Sequence, residues 1–143
     1  MKSFPIVKQT AQYSCGQDCM RIILEFYQLQ ISSMKLSALC PIGEQGTSLY
    51  DLIQGAKQLG FSALPLKCKL EDLVQTPLPL IAYMNNKHYL VVYEVSKQHI
   101  HVSDPARGLV CYSFDRFQEE WYLPGEQAGV LLVMEPKTLV KRD

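Results

Sequence analysis

The chain has 143 residues and a mass of 16.3 kDa, and its 14 lysines and arginines balance 14 aspartates and glutamates for a formal net charge of zero. That length can bury one domain-sized core, and 48% apolar with 20% charged residues is the balance of a folded domain rather than a disordered chain. Zero net charge removes the general attraction to phosphate backbones and anionic lipid surfaces, which sets nucleic acid aside as a partner.

Gly16 to Leu29 carries Met20, Ile23, Leu24 and Tyr27 at three- and four-residue spacing, the pattern of an amphipathic helix. A short helix is expected over Ser33 to Leu39, with Ser32 or Ser33 as N-cap and Pro41 beyond its end. Leu49, Leu52, Ile53, Ala56 and Leu59 form a third helical stripe, opened by Thr47 or Ser48 and closed by Gly60. The character then changes. Phe61–Leu66 reads as a strand and Leu70–Val74 as a helical turn or two. Leu78–Met84, His88–Val95, His99–Val102, Leu109–Ser113 and Val130–Met134 all read as strands separated by turn signals. Helices first and strands later predict an α+β domain with a mainly antiparallel sheet, spanning residues 1–136. The polar residues 137–143 read as a linker or chain end. No apolar run approaches the ~20 residues of a spanning helix, so no direct membrane insertion is expected.

The five cysteines, at positions 15, 19, 40, 68 and 111, are odd in number and scattered, which points to free thiols in a reducing compartment rather than a disulfide framework. No secretory signal follows Met1. Cys15 stands at the start of the first long helix, where unpaired N–H groups stabilise a thiolate, and Gly16 behind it allows close approach. The plainer alternative is a buried thiol filling space. A nucleophile needs a base and the base an orienting partner. Of the three histidines, His88 opens a strand after a turn, and Asp104 ends the next strand sixteen residues later. A hairpin between those strands would bring the two side by side. Read singly, His88 is a turn residue and Asp104-Pro105 a common turn. His99 and His101 share one face of a short strand and read as a solvated hairpin rather than a metal site. Cys19 reads as packed on the inner side of its helix, and Cys40, Cys68 and Cys111 as buried. Gln9, six residues before Cys15, could return its amide to the thiol and, with the Cys15 N–H, hold a developing oxyanion.

The ordered set resembles the C39 family of cysteine peptidases, the papain-like domain of bacteriocin-processing ABC transporters. The matching stretches are Gln9 through Cys19 (QTAQYSCGQDC), Gly46-Thr47-Ser48 into Leu49–Phe61, Asn86 through Val92, Val102 through Ala106, and the Trp121…Pro136 run. The resemblance implies cleavage of a peptide precursor just after a double-glycine, with Cys15 as nucleophile, His88 as base, Asp104 as its orienter and Gln9 as oxyanion donor. It implies no cofactor for the cleavage, and it places any ATP in a transporter's nucleotide-binding domain outside this chain. The implied partners are the leader peptide and the transporter's membrane and ATPase domains, at the cytoplasmic face of a bacterial membrane. A non-cleaving docking domain and another papain-like acyl-transfer enzyme are the competing readings. Two departures bear on the groove: Ser14 stands where the family usually has Asp, and Gln17-Asp18 where it usually has small residues.

Overall fold

A computed structural model describes residues 4–9 and 11–137. Of the expected linker, only Lys137 falls among them, and its N–H donates to the Gly60 carbonyl at 2.9 Å. The first three elements are helices: α1 (Cys15–Phe26), α2 (Ser33–Leu39) and α3 (Leu49–Gln58). Strand β1 (Phe61–Cys68) and the single turn α4 (Leu70–Leu73) follow, then β2 (Leu80–Tyr83), β3 (Tyr89–Val95), β4 (His99–Asp104) and β5 (Gly108–Ser113). Helix α5 (Phe114–Trp121) and strand β6 (Gly129–Pro136) complete the order.

Local chemistry sets the helix ends. Ser32 and Ser48 cap α2 and α3, their hydroxyls accepting from Lys35 N and Asp51 N at 3.1 Å each. Gly60, at φ +92°, carries the chain out of α3 in a conformation that L side chains resist. Helix α1 begins at Cys15 itself and stops at Phe26, three residues short of the expected Leu29, where Tyr27 caps it and Gln28 turns to φ +60°.

The strands form one six-stranded sheet in the order β1-β6-β2-β3-β4-β5, and every paired neighbour is antiparallel. Its centre is covered on both faces. Tyr89 and Val91 of β3 join the core under α1–α3, while Leu90 and Val92 join a second core with Phe117 and Trp121 of α5. Alternate side chains point to opposite faces, so a strand buried on both sides becomes a continuous apolar run, as Tyr89–Val92 is. Helix α5 is an element the sequence reading passed over. Ser113 caps it by accepting from Arg116 N at 3.1 Å, and Phe117 and Trp121, four apart, bury one face.

Candidate active site

Cys15 is the first residue of α1 and is nearly buried, at 8% exposure. Gly16 behind it lets the helix start approach the sheet. A Cβ there would lie 3.1 Å from Thr47 Cβ and 3.4 Å from Tyr89 Cδ2, tighter than ordinary contact. The Thr47 hydroxyl is buried at this junction with no hydrogen-bond partner among the described residues.

His88 is presented by the turn between β2 and β3. Lys87 adopts φ +66°, Lys87 N–H donates to Met84 O at 3.0 Å, and Met84 N–H donates to His88 O at 2.7 Å. Asn85 ties this turn to the end of α5. Its N–H donates to Glu120 O at 2.8 Å and its side-chain amide to Glu119 O and Tyr122 O at 2.8 and 3.0 Å. Those carbonyls are the ones a helix end leaves unpaired. Pairing of β3 with β4 then brings Asp104 to the ring, with His88 Nε2 2.6 Å from Asp104 Oδ1. Ala106 N–H donates to the same oxygen at 2.8 Å, and Arg107 Nε lies 3.8 Å from Oδ2.

The electrostatics follow from that contact. Burial disfavours a charged imidazole, but the hydrogen bonds to Asp104 and then to Cys15 outweigh it and push the His88 pKa up to about 9. Since Nε2 is engaged by Asp104, Nδ1 is left for the Cys15 thiol. Burial also opposes the charge on Asp104, yet the His88 bond and the Ala106 N–H together hold its carboxyl below the usual value. A cleft of about 600 Å³ joins Cys15, His88 and Asp104. Gln12, Tyr13 and Gly46 wall it on the side of the Cys15 helix, and Arg107, Tyr112 and Glu120 line it beyond the histidine.

Gln9 is oriented differently from the expectation. Its amide nitrogen donates to Ala11 O and Gln12 O, both at 2.8 Å, which engages both amide hydrogens within its own loop. Its backbone N–H donates to Pro105 O at 2.8 Å, so the loop is anchored beside Asp104, and Gln9 lines a depression with Lys8 and Pro105 rather than the cleft of Cys15. The glutamines that line the cleft are Gln12 and Gln45, neither of which the sequence singles out.

The other candidates are dispersed. Cys19 and Cys40 are fully buried, Cys68 is half-buried, and Cys111 is exposed, contrary to its expected burial. It lies on the outer strand β5 and projects from an uncovered stretch of sheet. His101 sits opposite Cys111 across β4 and β5, a neighbour that sequence spacing did not reveal. Among the described residues no group of three His, Cys, Asp or Glu side chains is arranged to hold a metal. Among those residues, too, no helix is long and apolar enough to cross a membrane.

A thiol at a helix start, facing an imidazole bonded to a carboxylate on a neighbouring strand, within helices packed on an antiparallel sheet, defines the papain-like class of thiol hydrolases. The sequence model described as "Peptidase C39 family" matches residues 3–138, and the chain belongs to that family. It is 33% identical to the lactococcin-G-processing and transport ATP-binding protein LagD of Lactococcus lactis subsp. lactis, over 95% of this chain but 19% of the relative. It is 32% identical to an uncharacterised protein of Methanothermobacter marburgensis, over 83% of this chain and 87% of that one. The chain thus spans about a fifth of the first relative and most of the second. In fold it matches a double-glycine-motif protease from an AMS/PCAT transporter, solved with the leader peptide, with a TM-score of 0.84 at 20% identity, covering 92% of this chain and 91% of that one. The peptidase domain of Streptococcus ComA superposes with a TM-score of 0.81 at 24% identity, covering 94% and 99%. These matches bear out the expected α+β, papain-like fold.

Proposed function

We propose that this chain is a cysteine endopeptidase that removes the leader of a secreted peptide precursor by cutting after a double-glycine. The observation that carries the proposal is the 2.6 Å His88–Asp104 contact, set in one cleft with Cys15 at the first position of α1. Cys15 is the nucleophile, and its proton passes to His88, whose raised pKa keeps the imidazolium populated at neutral pH. The sulfur attacks the carbonyl carbon of the second glycine. As the C–N bond breaks, His88 gives its proton to the leaving amine, and a thioester to Cys15 remains. Water, deprotonated by His88, then hydrolyses the thioester and returns the thiol. Asp104 holds the ring so that Nδ1 meets the sulfur and balances the imidazolium charge.

The Cys15 N–H at the helix start is one oxyanion donor. Gln9 becomes the second if its amide exchanges one of its two loop carbonyls for the substrate oxygen. Preference for glycine would have a steric source in the cleft wall beside Cys15, which Tyr13, Gly46 and Tyr89 line. The proposed partners are a double-glycine leader and, where a chain continues as the lactococcin-G relative does, the membrane and ATPase parts of an exporter. The domain would then stand on the cytoplasmic side, and ATP would serve those parts alone.

The deciding experiment incubates wild type and Cys15→Ala with a synthetic double-glycine leader peptide and reads the products by mass spectrometry. Cleavage after the second glycine by wild type alone is the expected result. Binding of the leader by both proteins without cleavage overturns the peptidase in favour of a docking domain. An untouched peptide alongside a reactive Cys15 points to a different acyl donor.

A further inference from the structure

Ser14 and Asp18, one helical turn apart around Cys15, touch each other. Both are buried, at 2% and 6% exposure, which is unusual for a carboxylate and demands a hydrogen-bonding account. Ser14 precedes Cys15 as the N-cap of α1, yet its hydroxyl does not cap the helix in the ordinary way. Its oxygen lies 2.6 Å from Asp18 Oδ2 and 3.0 Å from Ala11 O, and its one proton goes to the carboxylate, the closer and charged acceptor one turn into the helix, while it accepts from Ala11 N–H at 3.1 Å. The Ser14 N–H closes the turn on Ala11 O at 3.3 Å, and Asp18 N–H donates to Ser14 O at 2.9 Å. The carboxylate in α1 is therefore joined by the Ser14 hydroxyl to the turn Ala11–Ser14. That turn carries Gln12 and Tyr13 into the cleft wall and delivers the backbone to Cys15.

We infer that Asp18 is a positioning residue for the thiol chemistry: acting through Ser14, it fixes the entry turn of α1 and so sets Cys15 against His88. The inference rests on the reading of Cys15 as the nucleophile. A group that holds the turn preceding Cys15 changes how often the thiol meets the imidazole, and a small misplacement there is costly to rate. The pair is also exchangeable in principle. A carboxylate at 14 and a hydroxyl at 18 would make the same bond with donor and acceptor reversed, and Asp is a good N-cap residue in its own right.

The test reads Cys15 directly, as its second-order rate of alkylation by iodoacetamide, resolved from the other thiols by peptide mass spectrometry. The panel is wild type, Ser14→Ala, Asp18→Asn, the double variant Ser14→Ala/Asp18→Asn, and the exchanged variant Ser14→Asp/Asp18→Ser, each with its melting temperature. Each single variant should react more slowly by about fivefold or more, and the double should match the slower single rather than the product of the two losses. The exchanged variant should return to within about twofold of wild type, a rescue that mere packing would not give. Singles that react like wild type, losses that multiply, or a folded exchanged variant that stays slow would each overturn the inference. Should a single variant fail to fold, the exchanged variant decides alone, because it keeps the buried carboxylate paired. The alkylation rate needs no peptide, so failure of wild type to cut a double-glycine leader would count against the proposed function and leave this result standing. Where the leader is cut, the single variants should lose kcat with KM little changed.

Discussion

At the scale of single residues, the five thiols separate by burial and by what faces them. Burial, then the charge of Asp51, pushes Cys40 up to about 11, and burial with the nearby Cys15 pushes Cys19 well above its ordinary value. Since the thiolate is the reactive form, both are protected twice, by access and by protonation. Cys111 is exposed on β5 with ordinary access to reagent. Cys15 is nearly buried but opens on the cleft and faces the His88 imidazolium. Iodoacetamide at neutral pH should therefore label Cys15 first, Cys111 second, and Cys19 and Cys40 slower than Cys15 by about a hundredfold or more. Peptide mapping over a time course measures the order. Labelling of Cys19 or Cys40 as fast as Cys111 in the folded protein would show that the helix does not shield them. The same scale shows what sequence order leaves out. Gln9, Cys15, His88 and Asp104 could be picked out as a set, but the direction of the Gln9 amide depends on which carbonyls its loop turns inward. Ser14 and Asp18 read as unrelated polar residues until a helical turn lays one over the other.

Among the elements, α5 positions the His88 turn, because Asn85 bonds to its terminal carbonyls, and α5 is itself seated by Trp121. The indole is fully buried and donates from Nε1 to Val130 O at 2.9 Å. Gly129 is glycine because that ring lies against it; an added Cβ would fall inside the van der Waals envelope of Trp121 Cδ2 and Cε2. Gly129→Ala must displace the indole or strand β6, a change that typically costs about 1–3 kcal/mol. Its melting temperature by circular dichroism should drop by several degrees, and an unchanged value would mean that the indole has room to yield. This helix was the element least legible in the sequence. Only Phe114, Phe117 and Trp121 are apolar among its eight residues, and the strand that precedes it runs directly into its cap. By contrast, the serine caps of α2 and α3 and Gly60 are local signals, and the helices lie where those signals put them.

At the level of the whole molecule, the pairing of β3 with β4 couples the chemistry to the fold, because the ion pair it creates exists only when the sheet is formed. The His88 pKa rises from 6.5 to about 9 on folding, so between those values the native state holds a proton that the unfolded chain has released. Stability from this group is fully present below pH 6.5 and is lost as pH rises through about 9. Asp104 works in the opposite window. Its lowered pKa contributes stability above 3.8, its ordinary value, and that contribution is lost as pH falls through the still lower native value. The two statements describe one interaction, so its effect is largest between the windows, in mildly acidic solution. Urea midpoints taken at pH 6, 7, 8 and 9 should fall steadily for wild type, and the unfolding free energy should fall at a slope bounded by one proton, about 1.4 kcal/mol per pH unit. Asp104→Asn removes the charge that holds the imidazolium, so its midpoints should start lower at pH 6 and change much less toward pH 9. Equal slopes in the two proteins would mean that the His88–Asp104 contact is not what keeps the proton, and the acid proposed for the leaving amine would have to be sought elsewhere in the cleft.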